Sequence, residues 1–228
     1  MTDAVLGGRS QVLRSRVARL RASHSYRIVL VMIAAAFVFV SLAGDATWTA
    51  TVLLLLESAT LAAAVWTSGV VRADSRGLIV LLVASSALAF AVLVSENDDL
   101  VGAAGLLSGV LVIATIAAIA IGVVDQKDVN AQSVTGAICI YILLGLLFLF
   151  LYGAIAVLGS GDFFTQGTDG TRSLRLYFSF VTLATLGYGD YTPAGELGHT
   201  LAVLEALIGQ LYLVTVLALL VSRLRGSD

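Results

Sequence analysis

The chain has 228 residues, of which 59% are hydrophobic and only 12% are charged, and its mean hydropathy is +0.99. A soluble domain carries about 25% charged and about 45–50% apolar residues, so this composition excludes an ordinary soluble fold. The single proline and the single cysteine also exclude a collagen-like chain, a disulfide scaffold and a multi-cysteine zinc site. The composition therefore indicates an integral membrane protein.

Six apolar stretches lie between charged residues, and each is close to or above the roughly 20 residues that a helix needs to cross a bilayer. Two of them contain one charge each, Glu57 and Glu205. Backbone groups in lipid must be hydrogen-bonded within the protein, so each stretch is predicted to be an α-helix. The predicted spans are 28–44, 46–71, 77–95, 100–124, 129–161 and 197–222.

The basic residues predict the orientation of these spans. With the N-terminus inside, eleven Lys and Arg residues fall in inner segments and only Arg172 and Arg175 fall in outer ones. Six spans return the C-terminus to the same side. We therefore expect an integral protein of a bacterial plasma membrane with both termini in the cytoplasm.

The basic segment 1–27 contains six arginines, and no small-residue cleavage site follows the first apolar run. It is therefore not expected to be a secretory signal peptide. Leu6, Leu13, Val17 and Leu20 lie near one helical face among these arginines. This pattern is typical of an interfacial helix that binds anionic lipids. A basic tail that only enforces topology is the alternative.

The segment 162–196, between the fifth and sixth spans, is too long for a tight turn and too apolar for a plain loop. Residues 174–184 are compatible with a helix too short to cross a bilayer, and Thr171 or Ser173 is positioned to cap it. Residues 185–190 contain Gly-x-Gly and do not easily continue a helix. The chain is predicted to enter the membrane as a helix and to return extended, which requires a water-filled cavity or burial in protein.

The run Thr-Leu-Gly-Tyr-Gly-Asp at 185–190 resembles the selectivity filter of the potassium channels, whose most familiar form is Thr-Val-Gly-Tyr-Gly-Asp. Tyr177 and Phe178 ahead of the run and Pro193 beyond it fit the same family. The resemblance implies that backbone carbonyls and the first hydroxyl of the run replace the hydration shell of K⁺, the permeant ion, with no other cofactor. The implied K⁺ ligands are Thr185, Leu186, Gly187 and Tyr188.

Consecutive filter carbonyls must point to one axis, which requires left-handed backbone angles at alternate positions. Glycine adopts such angles at little cost, so Gly187 and Gly189 are predicted to have them. Leu186 and Tyr188 are expected to point away from the axis and pack behind the filter. The residues expected to support the filter are Tyr177, Phe178, Thr182 and Asp190.

One filter needs four such loops and this chain has one, so the resemblance implies a homotetramer. The predicted fold class is an all-α membrane protein with six transmembrane helices, a re-entrant pore helix and a selectivity filter. Its predicted segments are a cytoplasmic basic segment 1–27, a four-helix voltage-sensor-like domain 28–125, a pore domain 129–222 and a short cytoplasmic tail 223–228. The predicted pore domain consists, in chain order, of the outer helix, the pore helix 172–185, the filter 185–190 and the inner helix 197–222.

The sixth span lines the inner pore by the same resemblance. Gly209 follows Gly189 by 20 residues, where the family often has a bending glycine, and close helix packing is the alternative. Leu213 and Leu217 lie on roughly the same face. They are candidates for an apolar constriction that closes by dewetting, with lipid-facing leucines as the alternative.

An intramembrane carboxyl group is a functional candidate by default. Glu205 is expected either near the foot of the filter or as a protonated, structural group hydrogen-bonded to the re-entrant helix through Thr182 or Thr185.

The fourth span contains no basic residue, whereas voltage sensors carry arginines at every third position of their fourth helix. Strong voltage gating is therefore not expected. Glu57 lies where voltage sensors keep an acidic partner for those arginines. It is expected either to be protonated and paired with Ser85, Ser86 or Thr115, or to mark an aqueous crevice or a small-ligand pocket.

The sequence predicts a potassium-selective channel that conducts passively. We find no catalytic constellation and no metal-ligand partners for the two histidines, so neither an enzyme nor a nucleic-acid partner is expected. A less selective monovalent cation channel is disfavoured by the intact Gly-Tyr-Gly. A K⁺ transporter subunit would repeat degenerate loops four times in one chain. A non-conducting modulator would not need Thr185 and both glycines.

Overall fold

The computed structural model describes residues 26–69, 75–95, 97–125 and 131–225. These residues form seven helices and no strand, with only isolated β-bridges from Phe164 to Thr168 and to Pro193. The predicted all-α class is therefore confirmed for the described part of the chain. The helices are α1 Tyr26–Leu42, α2 Thr47–Ser68, α3 Ser75–Ser95, α4 Asp98–Val124, α5 Ala131–Leu158, α6 Arg172–Leu183 and α7 Glu196–Arg225. The predicted interfacial helix of 1–27, with its anionic-lipid contact, lies almost entirely outside the described residues.

Five of these helices, α2, α3, α4, α5 and α7, are long and apolar enough to cross a membrane. The helix α1 is apolar but has 17 residues, at the lower limit for a span. Trp48 and Trp66 stand half-exposed at opposite ends of α2, about 27 Å apart along a helix. This separation is close to the ~30 Å hydrocarbon thickness and fits tryptophans at the two membrane interfaces.

The first four helices form one packed group in which α2 contacts α1, α3 and α4. Hydroxyl groups link these helices: Ser58 and Ser85 are hydrogen-bonded at 2.7 Å, and the Thr51 hydroxyl donates to the Ala89 carbonyl. Such contacts matter in lipid, where association is driven by packing and hydrogen bonds rather than by the hydrophobic effect. The helix α5 then packs against α4 and α1 of the same chain.

The short helix α6 lies between α5 and α7 and also contacts α1. The Phe37 and Phe180 rings meet edge to face with centroids 5.0 Å apart, and the Ser173 hydroxyl donates to the Ser41 carbonyl at 3.2 Å. Arg172 forms an ion pair with Asp45 at 3.1 Å. The four-helix group therefore holds the first turns of α6 directly.

Capping explains where α6 begins. The Thr171 side chain accepts a hydrogen bond from the Leu174 backbone N–H at 3.1 Å, so Thr171 rather than Ser173 caps the helix. The helix ends at Leu183, two residues before the predicted limit of 185, because Thr185 has a left-handed φ of 56°.

Candidate functional site

The run 185–190 follows α6 and has an unusual backbone. Thr185, Gly187 and Gly189 have φ angles of 56°, 54° and 74°, so left-handed angles occur at alternate positions. This alternation is the pattern required for successive carbonyls to turn toward one side. Gly187 and Gly189 have the left-handed angles that the sequence predicted for them.

The left-handed angle of Thr185 cannot be predicted from the glycine pattern. A β-branched residue is strained in the left-handed region. Two hydrogen bonds to the end of α6 stabilise this conformation. The Thr185 N–H donates to the Thr182 carbonyl and the Leu186 N–H donates to the Val181 carbonyl, both at 2.8 Å. Thr182 therefore contacts the run through its backbone oxygen.

The side chains of Leu186 and Tyr188 are 58% and 66% exposed in the single chain. A Cβ atom built on Gly187 or Gly189 would also meet no other atom within 4 Å. The predicted packing behind the filter is therefore not made by this chain's own described residues.

The C-terminal end of the run, at Asp190, is held by two hydrogen bonds. The Tyr177 hydroxyl donates to the Asp190 carboxylate at 2.7 Å, and this bond raises the pKa of Tyr177 to about 12. The Gln166 side-chain amide donates to the Asp190 carbonyl at 2.8 Å. Gln166 was missed at the sequence level because a polar residue 24 positions away in a loop carries no spacing pattern.

Phe178 points away from this bond although it is adjacent to Tyr177, because successive helical residues are turned by about 100°. It is buried in an aromatic cluster on α5 and the following loop, with the Tyr152 ring 5.1 Å and the Phe164 ring 5.4 Å away. Phe163 belongs to the same cluster. Phe178 therefore holds α6 against its own outer helix rather than contacting Asp190.

Glu205 of α7 is fully buried behind α6. The Tyr152 hydroxyl of α5 donates to one of its oxygens at 2.5 Å, and Ser179 Oγ of α6 lies 2.5 Å from the other. Ser179 Oγ also lies 2.8 Å from the Gly145 carbonyl oxygen. One carboxyl group thus joins three helices, and its partner on α6 is Ser179 rather than the expected Thr182 or Thr185.

The number of protons at Ser179 indicates whether the Glu205 carboxyl is protonated. A hydroxyl has one proton, so Ser179 cannot donate to the Gly145 carbonyl and to Glu205 at once. Both contacts are hydrogen bonds together only when Glu205 is a neutral acid that donates to Ser179. This arrangement fits the interpretation of Glu205 as a protonated, structural group.

Gly209 lies in the uninterrupted helix α7, against the end of α6. A Cβ atom at this position would collide with the backbone oxygen of Leu183. The contact matches the close-packing interpretation of this glycine. Nearby, the Tyr212 hydroxyl donates to the Ala137 carbonyl at 2.7 Å and ties α7 to α5.

The part of the chain from α5 to α7 is also the part that matches known proteins. The sequence model of a family described as "Ion channel" matches residues 137–226. Over these residues the chain is similar to the ion channels of that family. The family consists of channels and not of enzymes.

Two relatives carry related names. The inward rectifier potassium channel Kirbac3.1 of Paramagnetospirillum magnetotacticum is 40% identical over 70 residues, which are 31% of this chain and 24% of that protein. The probable potassium channel protein 2 of Methanocaldococcus jannaschii is 40% identical over 55 residues, 24% of this chain and 13% of that one. The matches thus cover about a quarter or less of each relative's length. No solved structure matches the chain.

The family match begins in α5 and ends at the close of α7, so the helices α1–α4 lie outside it. In α7, Leu213 is 49% exposed in the single chain. Leu217 lies in the same helix, and its side chain is outside the described part of the structure.

Glu57 lies in α2 and is 5% exposed. Neither carboxyl oxygen has a hydrogen-bond partner among the described residues. The predicted partners bond elsewhere: Ser85 with Ser58, Ser86 to the Leu82 carbonyl and Thr115 to the Leu111 carbonyl. Glu57 is therefore not paired with any of these three hydroxyls, because hydroxyl groups in helices readily bond the carbonyl of the preceding turn.

The surroundings of Glu57 are mostly closed. Ser108 of α4 is buried beside the carboxyl and forms no hydrogen bond with it. A cavity of about 10 Å³ lies beside Glu57, between Thr60, Thr115 and apolar side chains. This volume is about the minimum for one water molecule. An aqueous crevice at Glu57, the other expectation from the sequence, would thus hold no more than a single water molecule.

Proposed function

We propose that this chain is a subunit of a homotetrameric, potassium-selective channel that conducts K⁺ passively across a bacterial plasma membrane. The observation that carries the proposal is the alternation of left-handed angles at Thr185, Gly187 and Gly189. A run of carbonyls turned to one side can replace the hydration shell of a K⁺ ion. The K⁺ ligands in this proposal are the carbonyls of Thr185, Leu186, Gly187 and Tyr188.

Four chains around one axis complete this filter. The exposed side chains of Leu186 and Tyr188, together with the largely unburied helix α7, leave surface for neighbouring copies to cover. In such a tetramer the C-terminal ends of the four α6 helices aim their partial negative charge at the central cavity, which stabilises a cation at mid-membrane. Gly209, Leu213 and Leu217 then belong to the helix that lines the inner pore.

The channel is proposed to respond weakly to voltage. The helix α4, Asp98–Val124, has no basic residue. Moving one charge through the membrane field yields about 2.3 kcal/mol per 100 mV, and steep gating needs three to four such charges per subunit. The proposed orientation places both termini in the cytoplasm and the basic N-terminal segment against anionic lipids.

The decisive experiment is a bi-ionic reversal potential, K⁺ against Na⁺, for purified protein in planar bilayers. We expect a reversal potential near that of a K⁺-selective pore and an open probability that changes little with voltage. Gly187→Ala, at a φ of 54°, is expected to abolish the current, whereas Gly195→Ala, with open space around it and no left-handed φ, keeps it. A Na⁺ permeability near that of K⁺ would favour the less selective cation channel instead.

The assembly has a separate test. Light scattering of the detergent-solubilised protein is expected to give the mass of four chains, each of 23.7 kDa. A dimer would point to a chain that needs other subunits to complete a filter.

A further inference from the structure

A groove distant from the filter opens between α2, α4, α5 and the start of α6. Its volume is about 290 Å³, near the lower end of the ~300–1,000 Å³ typical of ligand pockets. Most of the wall is apolar or small, including Leu53, Val101, Gly105 and Phe150. Its charged lining consists of Asp45, Arg172 and Arg175. We refer to this space as the outer groove.

The outer groove has the dimensions of one lipid leaflet. Its lining on α4 extends to Ser108, ten residues from the outer end of that helix, which corresponds to about 15 Å. Half of the ~30 Å hydrocarbon core is also about 15 Å. The arginines stand at the outer end and the apolar wall continues below them. The groove therefore has the same order of polar and apolar parts as a lipid molecule in the outer leaflet.

The side chains that line the outer end carry two positive charges and one negative charge, and Asp169 lies near Arg175 outside the lining. Arg172 is paired with Asp45, and Arg175 donates through Nη1 to the backbone carbonyls of Asp169 and Gly170 at 2.9 and 2.7 Å. The Nε of Arg175 is buried and has no partner among the described residues. A buried N–H without an acceptor is unfavourable, and a phosphate oxygen is an acceptor that arginine binds well.

We propose that the outer groove binds one anionic phospholipid of the outer leaflet, with its phosphate beside Arg172 and Arg175 and an acyl chain along Leu53, Val101 and Phe150. The proposal rests on the membrane location of α2, α4 and α5 and on the orientation proposed above, and not on ion selectivity. A lipid seated there contacts the four-helix group and the first turn of α6 at the same time, so it also holds the pore helix in place.

The first test compares two variants that break the same ion pair. The purified channel is titrated with phosphatidylglycerol and, separately, with phosphatidylcholine of the same chains, and bound lipid is counted by native mass spectrometry. Arg172→Gln is expected to weaken phosphatidylglycerol binding about fivefold, the effect of one basic residue near a lipid surface. Asp45→Asn removes the opposing charge and is expected to keep or strengthen that binding.

The second test fills the groove. A Cβ atom at Gly105 meets nothing within 4 Å, so Gly105→Leu extends into open space without a backbone clash. Ala103→Leu adds a leucine two residues away at an exposed position of α4 and is the matched control. We expect the preference for phosphatidylglycerol to be lost in Gly105→Leu and kept in Ala103→Leu.

Several results would overturn the proposal. Equal binding of the two lipids by the unmodified channel would do so, as would equal effects of Arg172→Gln and Asp45→Asn. A neighbouring protomer that fills the groove, detected as a Gly105→Cys crosslink between chains with no bound lipid, would also do so. Thermal unfolding in phosphatidylcholine checks that each variant is folded, and the reversal potential tests ion selectivity independently of all these outcomes.

Discussion

Helices α1–α4, the four-helix half of the chain, and helices α5–α7, the pore half of the proposed channel, each bury one glutamate. The two glutamates differ in their hydrogen bonds. Glu205 joins α5, α6 and α7 through Tyr152 and Ser179. Glu57 lies at a comparable burial among α1, α2, α4 and α5 and has no hydrogen-bond partner among the described residues. A buried polar group stabilises a structure only when it is satisfied. The comparison therefore predicts that the pore half depends on its acid and that the four-helix half does not.

The largest effect is expected for Glu205→Ala. It leaves the Tyr152 hydroxyl without its acceptor, leaves Ser179 bonded only to the Gly145 carbonyl and opens a cavity between three helices, which together cost about 2–4 kcal/mol. The thermal stability of the assembled channel and its K⁺ current should both fall.

Glu205→Gln is the matched variant, because a carboxamide can accept from Tyr152 and donate to Ser179 as the neutral acid does. We expect it to retain most of the stability and current. If Glu205→Gln lowers stability and current as much as Glu205→Ala does, the carboxyl is an anion, and the inference that it is a neutral acid donating to Ser179 is wrong.

The next effect is expected for Gly209→Ala. Its Cβ would collide with the Leu183 backbone, and such overpacking typically costs about 1–3 kcal/mol. The filter should lose stable conduction because its supporting helix is displaced. Single-channel recording checks this against Gly195→Ala, which meets no neighbour. Normal conduction in Gly209→Ala would show that α7 and α6 separate easily.

A smaller effect is expected for Tyr177→Phe, which removes the hydrogen bond to Asp190 and keeps the ring. The loss is about 0.5–1.5 kcal/mol, too little to unfold the channel but enough to loosen the outer end of the filter. The current should decay faster during a maintained recording, with the melting temperature almost unchanged. An unchanged decay would mean that Gln166 alone holds Asp190.

The smallest effect, of opposite sign, is expected for Glu57→Leu. Replacing an unsatisfied buried polar group with an apolar one of similar size is neutral or stabilising by about 1 kcal/mol. The melting temperature should stay or rise, and the current should persist. A loss as large as that of Glu205→Ala would remove the distinction between the two halves.

Local chemistry explains what the sequence predicted well. The cap of α6 among its two candidates and the two left-handed glycines follow from residue types whose preferences act over a few neighbours. Thr185 could not be predicted as left-handed, because its own preference opposes that angle and only bonds to α6 impose it. The partners of Glu205 lie 26 and 53 residues away, and no local pattern encodes such a distance.

The position of Phe178 could not be predicted from its neighbours either, because it differs from Tyr177 in the direction that its side chain faces and not in residue type. Both are aromatic residues ahead of the filter, but one faces Asp190 and the other faces the cluster on α5. The rotation of α6 about its axis decides between them, and that rotation depends on contacts with α1 and α5.

The contact of Gly209 with Leu183 has a mechanical consequence. The inner helix touches the last carbonyl of the pore helix two residues before Thr185, with no side chain between them to absorb a movement. We therefore expect a bend or rotation of α7 at this level to displace the backbone at the end of α6. A movement that starts anywhere along α7 would then change the geometry of the run 185–190 that follows.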